Sequence, residues 1–242
     1  MNLFDIVIPV GPKDKSIIEE QIKYTKKNIV GYRNIYLISY DPSILIEGCN
    51  TIDENIFPFN KNTVIEHHGK SWRNGWYLQQ LLKLYAGIII PNILDRYLVI
   101  DCDTFFLKPT EFIKNNKCLY NFGRENNGEY FRHMKRMDED WRRMRIKKSG
   151  ICHHMIFETK YLNEIFSKIE KKHNDLFYNV FLKLVEKKLG SGASEYEIYF
   201  NYMLKYYPNH IIIRKLNWKN NVKNWQTNTE LDYISNHHYK RR

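Results

Sequence analysis

Two acids one residue apart, Asp101 and Asp103, follow directly on the apolar run 97–100 (YLVI-DCD). Residues i and i+2 of an extended segment point to the same side, so both carboxylates can face one hard cation. Mn²⁺ and Mg²⁺ favour one or two protein carboxylates together with phosphate oxygens, so a cation held there could neutralise a diphosphate. The bland reading of the triplet is a surface turn with two solvated acids. The preceding strand and the following FFLKP argue against it, because ligands in open α/β sheets bind beyond the carboxyl ends of the strands.

The flanking pattern supplies such a sheet. Residues 6–10 (IVIPV) read as a buried strand delivered into a turn at Gly11 and Pro12, 16–27 as an amphipathic helix, and 34–39 as a second strand. Strand, helix and strand within so short a stretch make a βαβ unit and open a parallel α/β sheet. A helix is expected over 71–87, with cap candidates Ser71 and Asn74 and a close at Gly87. Strands are expected at 117–122, 151–157 and 211–216. Helical pieces fall within 160–188, broken near His173 and Asn174. A further helix runs from Ser194-Glu195-Tyr196-Glu197, which matches a capping box, to about Tyr206. The Asn- and Trp-rich tail shows no period, and Gly190-Ser191-Gly192 reads as a hinge. The whole chain, 1–242, is expected to be one domain, with 1–110 as a nucleotide-binding half and 111–242 as an acceptor half and tail.

The net charge of +11 is local. Residues 132–148 hold eight bases and three acids, and 205–242 hold eight bases and two acids, so two surfaces face an anion while the remainder is neutral. The four cysteines form no CxxC pair and no cluster, which excludes a zinc knuckle and a disulfide framework. No signal peptide and no run long enough to span a bilayer is visible, so a soluble cytoplasmic protein is expected. His67-His68 are adjacent rather than i, i+2, which argues against a shared zinc. His153 and His154 would point to opposite faces of a strand, so one can reach an acceptor while the other meets core or solvent. Trp141, Trp218 and Trp225 are rings that could stack on a sugar or base.

Taken together, IPVGPKD after the first strand, KSWR before GWYLQQLLKL, YLVIDCDTFFLKP, GICHHMIF and SEYEIYFNYML resemble the GT-A fold glycosyltransferases, above all small nucleotide-sugar transferases of bacteria and large DNA viruses. The likeness runs from about Ile6 to Tyr206 and extends toward His238. It implies a Rossmann-like, mostly parallel sheet flanked by helices, a nucleoside-diphosphate sugar donor, usually a UDP-sugar, and a divalent metal, usually Mn²⁺. It places Asp101 near the donor ribose or metal, Cys102 between, and Asp103 on the metal. Pro9, Val10 and Gly11 lie against the nucleotide, Arg73 and Gln79 on the helix before the acidic motif, and His237 or His238 as a further metal ligand.

Transfer to a hydroxyl, on a glycan or other acceptor, needs a base if the anomeric centre inverts, and Glu195 and Glu197 are the candidates. Both sit in the first turn of a helix, where the dipole favours the ionised carboxylate and lowers its strength as a base. Glu197 is equally the capping partner of Ser194. A nucleic-acid-binding domain would use the two basic segments, but paired acids repel phosphate unless a cation lies between, so no nucleic-acid partner is expected. A metal-dependent nucleotidyltransferase would share the metal and the nucleoside phosphate.

Overall fold

The computed structural model describes residues 3–186, 190–227 and 230–237. The chain opens with β1 (Phe4–Val10), every residue of which is buried, followed by α1 (Ile18–Asn28), β2 (Ile29–Val30), β3 (Tyr32–Ser39), β4 (Asn50–Asp53) and α2 (Lys61–His68). Next come α3 (Asn74–Ile89), β5 (Arg96–Ile100), β6 (Thr104–Phe106) and the short β7 (Thr110–Glu111), β8 (Ile113–Lys114) and β9 (Lys117–Tyr120). The rest is α4 (Gly128–Met137), β10 (His154–Glu158), α5 (Thr159–His173), α6 (Phe177–Lys183), α7 (Glu195–Tyr206), β11 (Ile211–Ile213), β12 (Trp218–Asn220) and β13 (Tyr233–Ser235). Among the described residues no helix is long and apolar enough to cross a membrane.

The central sheet has the order β10-β5-β1-β3-β4, parallel except for β10. Because β1, β3, β4 and β5 run the same way, their carboxyl ends, and the loops after Val10, Ser39 and Ile100, share one edge. β10 enters the sheet from that edge, with His154 opposite Ile100. Proline is rarely accepted in a central strand because it lacks a ladder donor. Pro9 is accommodated because the ladder between β1 and β5 stops at Val7 and Val99, two residues earlier.

Three sequence expectations change. The helix expected over 71–87 starts at Asn74 and continues through Gly87 to Ile89. Gly87 is there for packing rather than termination: a Cβ built on it would lie 2.4 Å from both the Tyr97 ring and Thr159 Oγ1. The tail is not featureless. β13 pairs antiparallel with β6, Ser235 opposite Thr104, and parallel with β12, so residues 235–237 lie beside the acidic motif. Finally, the basic segment begins in a helix, α4, whose Tyr130, Met134 and Met137 are buried while Arg132, Lys135 and Arg136 face water.

Gly87→Ala tests the close approach. Alanine is the better helix former by about 1 kcal/mol, yet the added methyl has no room, so a net loss of about 1–3 kcal/mol is expected in urea unfolding. A gain in stability would show that Tyr97 and Thr159 yield freely.

Candidate functional site

β5 delivers Asp101 to the sheet edge, where its backbone N–H donates to His153 O at 2.8 Å. Its carboxylate is held from three sides. Oδ1 accepts from the Lys83 ammonium and from the Tyr196 hydroxyl, the latter at 3.0 Å, and Oδ2 lies 3.2 Å from His153 Nδ1. Lys83 comes from the middle of α3 and also donates to Glu195 Oε1 at 2.7 Å, so one ammonium bridges two carboxylates. Glu195 stands at the start of α7, where its N–H donates to Gln80 Oε1 at 3.0 Å. Three elements, α3, α7 and the end of β5, thus meet on one buried cation.

Asp103 sits two residues on and faces the tail. Ser235 Oγ donates to its Oδ1 at 2.9 Å, and His237 Nδ1 lies 3.0 Å from its Oδ2. Backbone bonds fix that approach: Asn236 N donates to Asp103 O at 2.8 Å and His237 N to Asn221 Oδ1 at 2.9 Å. The His153 and His237 rings lie 5.0 Å apart, and the Trp218 ring edges His153 at 5.2 Å. His153 adopts a left-handed backbone (φ 63°), uncommon for a residue with a Cβ. That conformation aims His153 at the acids while His154 starts β10.

Burial works against charge at each of these groups, and the partners decide the sign. Burial would raise Asp101, but the Lys83 ammonium and His153 outweigh it and hold the carboxyl well below its usual range. Asp103 is lowered in the same way, His237 overcoming burial. Burial would depress Lys83, but Asp101 and Glu195 hold it above the ordinary lysine value. Glu195 moves up, because burial there exceeds what Lys83 returns. The sequence expectation that the helix dipole lowers its basicity is therefore reversed: desolvation of a side chain only 5% exposed dominates.

The remaining expected residues fall as follows. Pro9, Val10 and Gly11 end β1 at the same edge, and the turn after them is closed by Asp14 N donating to Gly11 O at 2.9 Å. Cys102 is buried between the two acids. The glutamine that touches the cluster is Gln80, whereas Gln79, one position earlier on α3, is partly exposed. Arg73 lies at the N-terminus of α3 with its guanidinium 4.1 Å from the Trp72 ring centre and 5.3 Å from that of Trp76. His154 is enclosed by Phe106, Phe112 and Tyr233, with neither ring nitrogen hydrogen-bonded among the described residues, and burial pushes its pKa down to about 3. Glu197 is fully buried. Ser194 Oγ accepts from its N–H at 3.3 Å, but the Glu197 carboxylate accepts from Ser149 and Asn201 instead of reaching back to Ser194, so only half of the expected capping box forms. Trp141 and Trp225 are core residues. His238 lies outside the described residues. Lys83, Tyr196 and Ser235 were not expected from the sequence.

Among the described residues, no group of three or more His, Cys, Asp and Glu side chains is arranged to hold a metal ion. The pair Asp103 and His237 nonetheless fits one. Here His237 Nδ1 and Asp103 Oδ2 are hydrogen-bonded to each other at 3.0 Å, a contact a cation would replace, and a carboxylate oxygen with an imidazole nitrogen is a donor set that a divalent ion takes. A site of two protein ligands completed by phosphate oxygens is the ordinary arrangement for Mg²⁺ and Mn²⁺. Both side chains remain accessible, at 16% and 19%.

Lys83→Met probes the buried bridge and its pH dependence. Asp101, with its folded pKa depressed, contributes stability that is present above about pH 4 and lost as pH falls toward the folded value. Glu195, raised, contributes with the opposite sign. Without Lys83 the buried Glu195 carboxylate loses its cation and Asp101 keeps only Tyr196 and His153, so the variant should be about 3–5 kcal/mol less stable at neutral pH. That deficit should shrink as pH falls toward about 4 and both groups protonate. Urea unfolding across this range checks it, and a deficit independent of pH would show that Lys83 acts through packing alone.

No curated protein matches the chain. Among solved structures, it is similar to the galactosyltransferase LgtC in complex with donor and acceptor sugar analogs, with a TM-score of 0.50 at 10% identity over 96% of this chain and 87% of that one. Mouse xyloside xylosyltransferase 1 in its apo form gives a TM-score of 0.47 at 10% identity, over 96% of this chain and 97% of that one. At such identity the likeness to LgtC shows the fold alone, which is the GT-A fold expected from the motifs. In sequence, residues 37–237 match a family of unknown function, DUF6492, and span the acidic motif, Lys83, α7 and His237 alike, so the chain belongs to that family.

Proposed function

We propose that this protein is a glycosyltransferase that moves a sugar from a nucleoside-diphosphate sugar, a UDP-sugar by the likeness of its motifs, to a hydroxyl of a glycan acceptor. The observation that carries the reading is the meeting of Asp103 with His237 at the carboxyl edge of a GT-A sheet, hydrogen-bonded at 3.0 Å and partly exposed. Asp103 and His237 are the residues that would hold Mn²⁺ or Mg²⁺, with Asp101 completing the acidic face through Oδ2. Such an ion would supply positive charge against that developing on the leaving diphosphate.

The chain's own groups divide the remaining work. Lys83 and Tyr196 occupy Asp101 Oδ1 and fix the direction of the carboxylate. Fixed charges of this kind need no rearrangement when charge develops on a substrate. Pro9, Val10 and Gly11 offer backbone against the base and ribose. Of the two acids of α7, Glu195 takes the acceptor proton, since it shares Lys83 with Asp101 and so stands in the cluster. Glu197 is committed to Ser149 and Asn201.

A thermal-shift series of UDP, GDP, CDP and ADP with and without MnCl₂ tests the reading. UDP with Mn²⁺ should stabilise the protein by about 2.7 kcal/mol at a hundredfold excess over Kd, and either component alone by much less. Asp103→Asn should keep the unliganded midpoint and lose the joint shift. No joint shift with any diphosphate, or an undiminished one in Asp103→Asn, would overturn it.

A further inference from the structure

Beyond the acidic edge, helix α2, the segment 70–72 and the first residue of α3 border an open cleft of about 450 Å³ lined by Lys61, Ile65, Lys70, Ser71, Trp72 and Asn74. Three features give it a chemistry. The Trp72 side chain is 80% exposed, but it is not loose: the Arg73 guanidinium stacks on the ring at 4.1 Å. A cation–π contact of this kind holds an indole in place and leaves its other surface available. Asn74, only 1% exposed, donates through Nδ2 to Gly69 O at 2.8 Å, while its Oδ1 accepts no hydrogen bond among the described residues. That oxygen is sealed from solvent, and the bond to Gly69 is what fixes the turn that presents Trp72.

The third feature is charge. Lys61 and Lys70 line the cleft, Arg73 lies behind it, and no acid is among the lining residues or in the first turn of α3. The N-terminus of a sixteen-residue helix adds its own partial positive charge. A flat ring held on a fixed turn suits the apolar face of a sugar, and the cations suit a carboxylate.

We propose that this cleft binds an acidic saccharide unit of the acceptor. Its recognition chemistry is independent of the transferase reading, and only its role as part of the acceptor rests on it. From Asn74 to Lys83 the helix rises about 14 Å at 1.5 Å per residue, so the unit held at Trp72 lies several sugars away from the reacting hydroxyl. The acceptor is accordingly an extended, negatively charged glycan rather than a monosaccharide.

Calorimetric titration of the full chain with trigalacturonic acid, and with the neutral galactose trisaccharide, tests this without donor or metal. The acidic trisaccharide should bind, at least tenfold more weakly to Trp72→Ala and several-fold more weakly to the double variant K61Q/K70Q, with thermal midpoints unchanged. Absence of binding, undiminished binding by Trp72→Ala, or equal affinity for the neutral sugar would overturn the proposal. Asp103→Asn, remote from the cleft, should bind the trisaccharide as wild type does. Trisaccharide binding that depends on Trp72, in a protein that gives no joint diphosphate and Mn²⁺ shift, would keep the cleft and remove the transferase; the reverse pattern would remove the cleft alone.

Discussion

Lys83 is the one buried lysine or arginine among the described residues, and the site is arranged around it. Its side chain is 3% exposed and contacts Asp101 and Glu195 at once. Removing an ammonium and two carboxylates from water is costly, and their attraction offsets that cost only when the geometry is good and the remaining lone pairs are satisfied. Tyr196 and His153 meet that condition at Asp101, while Gln80 accepts from the Glu195 backbone N–H and holds the start of α7 in place. The consequence is positional. α3 and α7 are held in register with the end of β5, and Asp101 is kept ionised with one oxygen occupied and the other directed toward His153.

A second constraint is topological. Asp103 is completed by Ser235 and His237, more than 130 residues later in the chain. That meeting depends on β13, three residues long, pairing with the equally short β6. Trp225 anchors the returning segment by packing on Phe105 and Tyr24 at 4.7 and 5.1 Å, and Trp218 stacks on Tyr233 at 5.4 Å. The aromatic residues of the tail are therefore largely the means by which a histidine reaches the acidic edge. The parallel strands bring Asp101 and Asp103 to one side, the tail brings His237 to meet them, and the partly open surface between them is where a diphosphate would lie.

The sequence exposes this arrangement unevenly. The acidic pair is legible because a β-branched and apolar run delivers it, and the parallel sheet is legible because strand and helix periods alternate before it. Glu195 is legible through the capping pattern at Ser194. Lys83 is not: within the run Leu81-Leu82-Lys83-Leu84 it looks like a side chain reaching past an apolar stripe to solvent, and only the approach of α7 shows that it turns inward. Gln80 and Gln79 cannot be told apart by type, and the 100° between consecutive helix positions decides which one meets Glu195. β12 and β13 are too short to show a period of two, so the tail reads as irregular until its pairing with β6 is seen. The left-handed backbone at His153, which directs that imidazole at Asp101, has no signature in the letters themselves.

In the proposed function Asp103 and the returning His237 share one divalent cation that meets a diphosphate. A crystal soaked with Mn²⁺ and UDP, with data collected at the manganese edge, tests this most directly. One anomalous peak within bonding distance of Asp103 Oδ2, His237 Nδ1 and oxygens of the diphosphate is the predicted result. A diphosphate bound with no manganese beside it, or manganese bound away from both residues, would contradict it.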